Sequence, residues 1–159
     1  MPELPEVQMM TNLVSEVGAG QALTRIETLD ARIWGGVEPL ESMGLLEVRR
    51  RGKLLVLMDD RNALLLHLRM TGQVCRAEDH RKARLRFHFE NGKSLVLLDQ
   101  RCLARLEWVP RKELEKSFTK KGLGGEFWPV PRSGEWWSRA LGQKPGAIKP
   151  VLLTQDKVV

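Results

Sequence analysis

Cysteine is scarce in this chain. Cys75 and Cys102 are the only two among 159 residues, and no Cys-x-x-Cys occurs. Neither a disulfide framework nor a structural zinc site within the chain is expected, so no metal ligand is assigned. No apolar run reaches the ~18 residues that a membrane-spanning helix needs. Glu3, Glu6 and Glu16 interrupt the first twenty residues, which do not read as a secretory signal. Internal repeats and low-complexity segments are also missing. What is there is a chain with 42% apolar and 29% charged residues, suited to a globular fold rather than a disordered one. Its 26 Lys and Arg against 20 Asp and Glu leave a formal charge of +6, weak evidence for a polyanionic partner. The expectation is a reduced, intracellular, cytoplasmic domain with no membrane contact.

The pattern changes twice along the chain. Pro2 and Pro5, the early Glu3 and Glu6, and Val7, Met10, Val14 and Val17 at three- and four-residue spacing predict an amphipathic helix ending at Gly18 or Gly20. From residue 23 to 109 short apolar runs alternate with turns. Asn91-Gly92 predicts a hairpin with a type I′ turn, and Leu85, Phe87 and Phe89 alternate with Arg84, Arg86 and His88 as a half-buried strand should. Several such strands predict an antiparallel sandwich or barrel. Residues 111–121 read as a charged helix or turn and residues 122–131 as a Gly/Pro-rich linker. Short helices follow over 134–141 and from Ile148. The domain expectation is residues 1–131, then a linker and the start of a second domain over 132–159.

The N-terminus is where chemistry is most legible. Removal of Met1 would leave Pro2 as a terminal secondary amine. An α-amino group has a pKa of about 7.7–8.0, so part of it is unprotonated near neutrality and can attack an electrophilic carbon to form a Schiff base. Glu3 beside it is a candidate acid/base. The plainer reading, in which Pro2 and Glu3 only start a helix, is favoured by spacing alone.

Several segments taken together carry a resemblance. Met1-Pro2-Glu3-Leu4-Pro5-Glu6-Val7, Arg50-Arg51-Gly52-Lys53, His67-Leu68-Arg69-Met70-Thr71-Gly72, Asp99-Gln100-Arg101 and Ala147-Ile148-Lys149-Pro150-Val151-Leu152-Leu153 occur in order. They resemble the signatures of the formamidopyrimidine-DNA glycosylase/endonuclease VIII family of base-excision repair enzymes, with Leu4 favouring the formamidopyrimidine branch. The resemblance implies an α+β, mainly β fold: an antiparallel β-sandwich flanked by helices. It implies a bifunctional glycosylase/AP lyase acting on oxidised purines, with damaged double-stranded DNA as partner and a monomeric state. Pro2 would be the nucleophile, Glu3 the acid/base, and Lys53 a participant at the DNA backbone and in elimination. Met70, Arg101 and Leu103 would fill the void left by the everted nucleotide, while His67, Lys82, Lys144 and Lys149 would contact phosphate or lesion. Four positions depart from the pattern: Leu103 replaces an aromatic wedge, Gln100 a proline, Thr154 an aspartate and Lys82 a histidine. The family's helix–two-turns–helix domain and four-cysteine zinc finger would follow the last matching stretch and are expected to be absent from this chain, which leaves it no cofactor. The competing expectation is a non-catalytic nucleic-acid-binding or structural module derived from the same domain.

Overall fold

The computed structural model describes residues 2–76, 82–126, 128, 131–142 and 147–153. The chain divides into two compact units, Met1–Lys112 and Glu113–Val159.

In the first unit, helix α1 spans Leu4–Gly18, with Pro5 and Glu6 in its first turn. The Glu6 carboxylate accepts the Glu3 backbone N–H at 3.0 Å, satisfying one of the donors that every helix start leaves open. Val7, Thr11, Val14 and Val17 form its buried face. Met10 of the expected stripe is only partly buried, packing at the edge of the same core.

Among the described residues nine strands follow: β1 (Ala22–Thr28), β2 (Met43–Leu45), β3 (Glu47–Arg51), β4 (Leu54–Met58), β5 (Asn62–His67), β6 (Gly72–Arg76), β7 (Ala83–Phe89), β8 (Ser94–Asp99) and β9 (Arg105–Pro110). They form two antiparallel sheets, one in the order β2-β1-β7-β8-β6 and the other β3-β4-β5-β9. Leu55, Leu57, Leu64 and Leu66 of one sheet share a single core with Leu85, Phe87, Leu95 and Leu97 of the other, which makes the pair a sandwich. Every residue of β4 is buried, as its unbroken apolar run requires, whereas β7 alternates buried and half-buried along its length.

The Asn91-Gly92 hairpin does join β7 to β8, but not by a type I′ turn. Gly92 has φ +76°, whereas Asn91 is not among the residues of positive φ. Gly92 N–H donates to the Phe89 carbonyl and Phe89 N–H to the Lys93 carbonyl, so one left-handed residue closes a longer loop. Three residues, Glu90 to Gly92, separate the paired Phe89 and Lys93, and a type I turn followed by a left-handed glycine is the usual closure for that length.

In the second unit, α2 (Leu114–Lys120) buries Leu114 and Phe118. Helix α3 (Gly134–Leu141) starts at Ser133, whose hydroxyl accepts the Trp136 N–H, and α4 spans Ile148–Leu153. Among the described residues no helix is long and apolar enough to cross a membrane.

Candidate active site and nucleic-acid interface

Strand register places most of the candidate residues at one end of the sandwich. In the smaller sheet Arg51 pairs with Leu54, Leu54 with His67, and His67 with Arg105. In the larger sheet Gly72 pairs with Asp99. Residues 68–71 therefore cross from β5 to β6, and residues 100–104 from β8 to β9, at the same end. Lys53 sits in the β3–β4 turn at that end too, and α1 packs against β3, β4 and β6.

Lys53 and Glu3 meet directly. Lys53 Nζ lies 2.7 Å from Glu3 Oε2, with the lysine side chain 13% exposed and the carboxylate 51% exposed. Arg50, almost fully buried, accounts for this placement. Its Nε donates to Gln8 Oε1 of α1 at 2.9 Å and a terminal nitrogen donates to the Gly52 carbonyl at 2.8 Å. One guanidinium thus binds the first turns of α1 to the β3–β4 turn, where Gly52 takes φ +56°. Pro2, half-buried, precedes Glu3 in the chain. A carboxylate and an ammonium are thereby paired one residue from Pro2, whose nitrogen would become a terminal secondary amine, able to form an iminium, on removal of Met1.

The second constellation is built on Asp99. It is fully buried and accepts the Thr71 hydroxyl, the Ala104 N–H at 2.7 Å and the Arg101 N–H at 3.2 Å. Burial pushes the Asp99 carboxyl up, but these bonds and one from the Leu103 N–H outweigh it and hold the group below the usual carboxylate range. The carboxylate thereby shapes residues 100–104 from inside, so that Arg101 is exposed, Leu103 half-buried and Cys102 left-handed at φ +52°.

A second acid supports the loop from behind. Asp30 receives Arg32, Arg84 and the Cys102 thiol, and the Arg32 hydrogen bond is the main reason its carboxyl lies well below the ordinary range. Arg84 Nε also donates to the Asp99 carbonyl at 2.8 Å. Across the gap, Arg69 has φ +55° and its N–H donates to His67 Nδ1 at 3.1 Å, which turns Met70 outward to 46% exposure. Gly72 is obligatory here, because a Cβ would run into the Leu68 carbonyl. Lys82 is exposed beside this loop and donates from Nζ to Gln100 Oε1 at 3.2 Å.

The structure therefore brings Glu3 and Lys53 together, and His67, Met70, Lys82, Arg101 and Leu103 onto the same end of the sandwich. At 46% exposure Met70 is not a core residue. Lys149 is exposed on α4 in the second unit, and Lys144 and Thr154 lie outside the described residues. Sequence reasoning missed Asp30, Arg50 and Arg84, and missed Asp99 as the organiser of the loop. Only Asp99 left a signal, a carboxylate closing an apolar strand just before a turn. Among the described residues no group of three or more His, Cys, Asp or Glu is placed to hold a metal ion.

The formamidopyrimidine-DNA glycosylase N-terminal domain model matches residues 1–106. This chain belongs to that family. It is 29% identical to the formamidopyrimidine-DNA glycosylase of Streptococcus thermophilus, with 99% of this chain and 61% of the relative covered. Against the enzyme of Pelotomaculum thermopropionicum it is 32% identical, with 98% and 60% covered. The crystal structure of Lactococcus lactis formamidopyrimidine DNA glycosylase, non-covalently bound to DNA containing an AP site, superposes with TM-score 0.82 at 27% identity. It matches over 99% of this chain and 64% of that one. The chain thus spans about three-fifths of the length of these curated relatives.

Proposed function

We propose that this chain is the catalytic N-terminal portion of a DNA glycosylase with AP lyase activity, acting in base-excision repair on oxidised purines in duplex DNA. The observation that carries the reading is the 2.7 Å Lys53–Glu3 pair on the segment that begins with Pro2. Once Met1 is removed, the Pro2 nitrogen would bond to the deoxyribose anomeric carbon as the glycosidic bond breaks and the base leaves. Glu3 would protonate the ring oxygen as the sugar opens to the iminium. Loss of a proton from the adjacent carbon then expels the 3′ phosphate, with Lys53 beside the backbone, and water releases the sugar from Pro2. Met70, Arg101 and Leu103 would occupy the void left by the everted nucleotide, and His67 and Lys82 would lie against the DNA. Lys144 and Lys149 retain the phosphate or lesion role that the resemblance implies.

Borohydride trapping tests this directly. With Met1 removed, as checked by N-terminal mass, borohydride should fix the chain covalently to DNA containing an abasic site. N-terminal acetylation should abolish the adduct, and Pro2→Gly, which puts a primary amine in place of the secondary one, should weaken it far more than changes to exposed lysines. An undiminished adduct after acetylation would assign the nucleophile to a lysine and overturn the role given to Pro2.

A further inference from the structure

Two of the departures from the family pattern touch each other. Lys82 stands where the family has a histidine and Gln100 where it has a proline, and the Lys82 ammonium donates to Gln100 Oε1 at 3.2 Å. Only the amide oxygen can accept from an ammonium, so this contact fixes which way the amide faces. The Gln100 Nε2 is then left with two N–H donors and no partner among the described residues, on an exposed side chain. The backbone beneath it is anchored on both sides. Arg84 donates to the carbonyls of Asp99 and Gln100, and the Arg101 N–H donates to Asp99. A proline at this position could offer no donor at all. Gln100 immediately precedes Arg101, one of the three residues read as filling the void beside the unpaired base.

We infer that Gln100 is a further recognition residue, donating from Nε2 to an acceptor on the unpaired base opposite the extruded nucleotide. Lys82 serves it as a positioning residue by engaging the oxygen. The inference rests on the reading of the β8–β9 connection, residues 100–104, as a loop whose exposed side chains enter the duplex. Base edges carry carbonyl oxygens and ring nitrogens as acceptors, and a side-chain amide is a good partner for them.

The test measures affinity of the chain, at low salt, for duplexes carrying a tetrahydrofuran abasic analogue opposite either a base or a second abasic site. Gln100→Ala should weaken binding about two- to tenfold when a base stands opposite, the net worth of one hydrogen bond, and leave the doubly abasic duplex unaffected. Gln100→Glu keeps the shape and the Lys82 contact but replaces donors with acceptors, so it should lose at least as much while melting like the parent. Arg101→Ala should also reduce dependence on the opposite base. If Arg101→Ala changes that dependence and neither Gln100 variant does, the loop reading stands and the role of Gln100 falls. Equal losses on both duplex types would place the amide on the backbone and overturn base recognition. No dependence in any variant, or no binding by the parent, would remove the loop reading and this inference with it.

Discussion

Asp99 accepts the Thr71 hydroxyl across the gap between the two connections that join the sheets. A buried carboxylate thereby couples the segment bearing Met70 to the segment bearing Arg101 and Leu103. Neither segment has its shape independently of the other, and this coupling has measurable consequences.

Asp99→Asn replaces an acceptor-only group with one that carries two N–H donors. It cannot accept all the bonds that Asp99 receives from Thr71, Arg101, Leu103 and Ala104. A destabilisation of about 1–3 kcal/mol is expected from the unsatisfied buried groups, read by denaturant melts. An unchanged midpoint would mean that the carboxylate does not organise the loop.

Acid should loosen the same region. Asp99 and Asp30 both have folded-state pKa values below their ordinary ones. Their stabilisation is therefore fully present above the unfolded value, about 3.9, and is lost as pH falls through the lower folded values. Stability measured from pH 6 downward should begin to drop near pH ~4. The drop should be smaller in Asp99→Asn, which has one fewer such group to protonate.

Gly72→Ala should be among the costlier small substitutions in the chain. The added methyl meets the Leu68 carbonyl, a backbone atom fixed by its bond from the Gly72 N–H. About 2 kcal/mol or more is expected from the forced backbone shift, by thermal or chemical melts. A neutral result would show the 68–72 turn to be far more compliant than its geometry implies.

Leu103 and Leu66 separate loop from core. Leu66 is completely buried, so Leu66→Ala should cost about 2–5 kcal/mol. Leu103 is half-buried, and Leu103→Ala should cost about 1 kcal/mol through partial loss of covered apolar surface. Equal costs would make Leu103 an ordinary core residue and remove it from the DNA-facing set.

Glu3→Gln should dissociate stability from chemistry. The Glu3 carboxylate is half exposed, so its pair with Lys53 is worth no more than about 1 kcal/mol to the fold. The melt should hardly move, while the borohydride adduct with abasic DNA should fall steeply. A large loss of stability with the adduct intact would make the pair structural.

Local signals carried much of the fold. The alternation in β7, the unbroken apolar run of β4 and the apolar spacing of α1 each report burial that repeats within one element, so each was legible in the sequence. The turn at Asn91-Gly92 differs from the expectation because three residues, not two, lie between the paired Phe89 and Lys93, and a dipeptide does not report loop length. The site divides the same way. Pro2, Glu3, Lys53, Met70 and Arg101 were reached through motif resemblance. Asp30 also takes Arg84 and Cys102, and Arg50 reaches Gln8, and no spacing rule reports a bond across more than forty residues.

The caged carboxylate of Asp99 also has a dynamic consequence. Backbone N–H groups in a surface connection normally exchange with solvent deuterium quickly, because nothing competes with water for them. Here the N–H groups of Arg101 and Ala104 point inward onto Asp99 although Arg101 itself projects into solvent. Their exchange should be slow, following the opening of the sheets rather than the motion of a tip. A loop ordered in this way loses little further freedom when a partner arrives, and so more of its contact energy remains available for affinity.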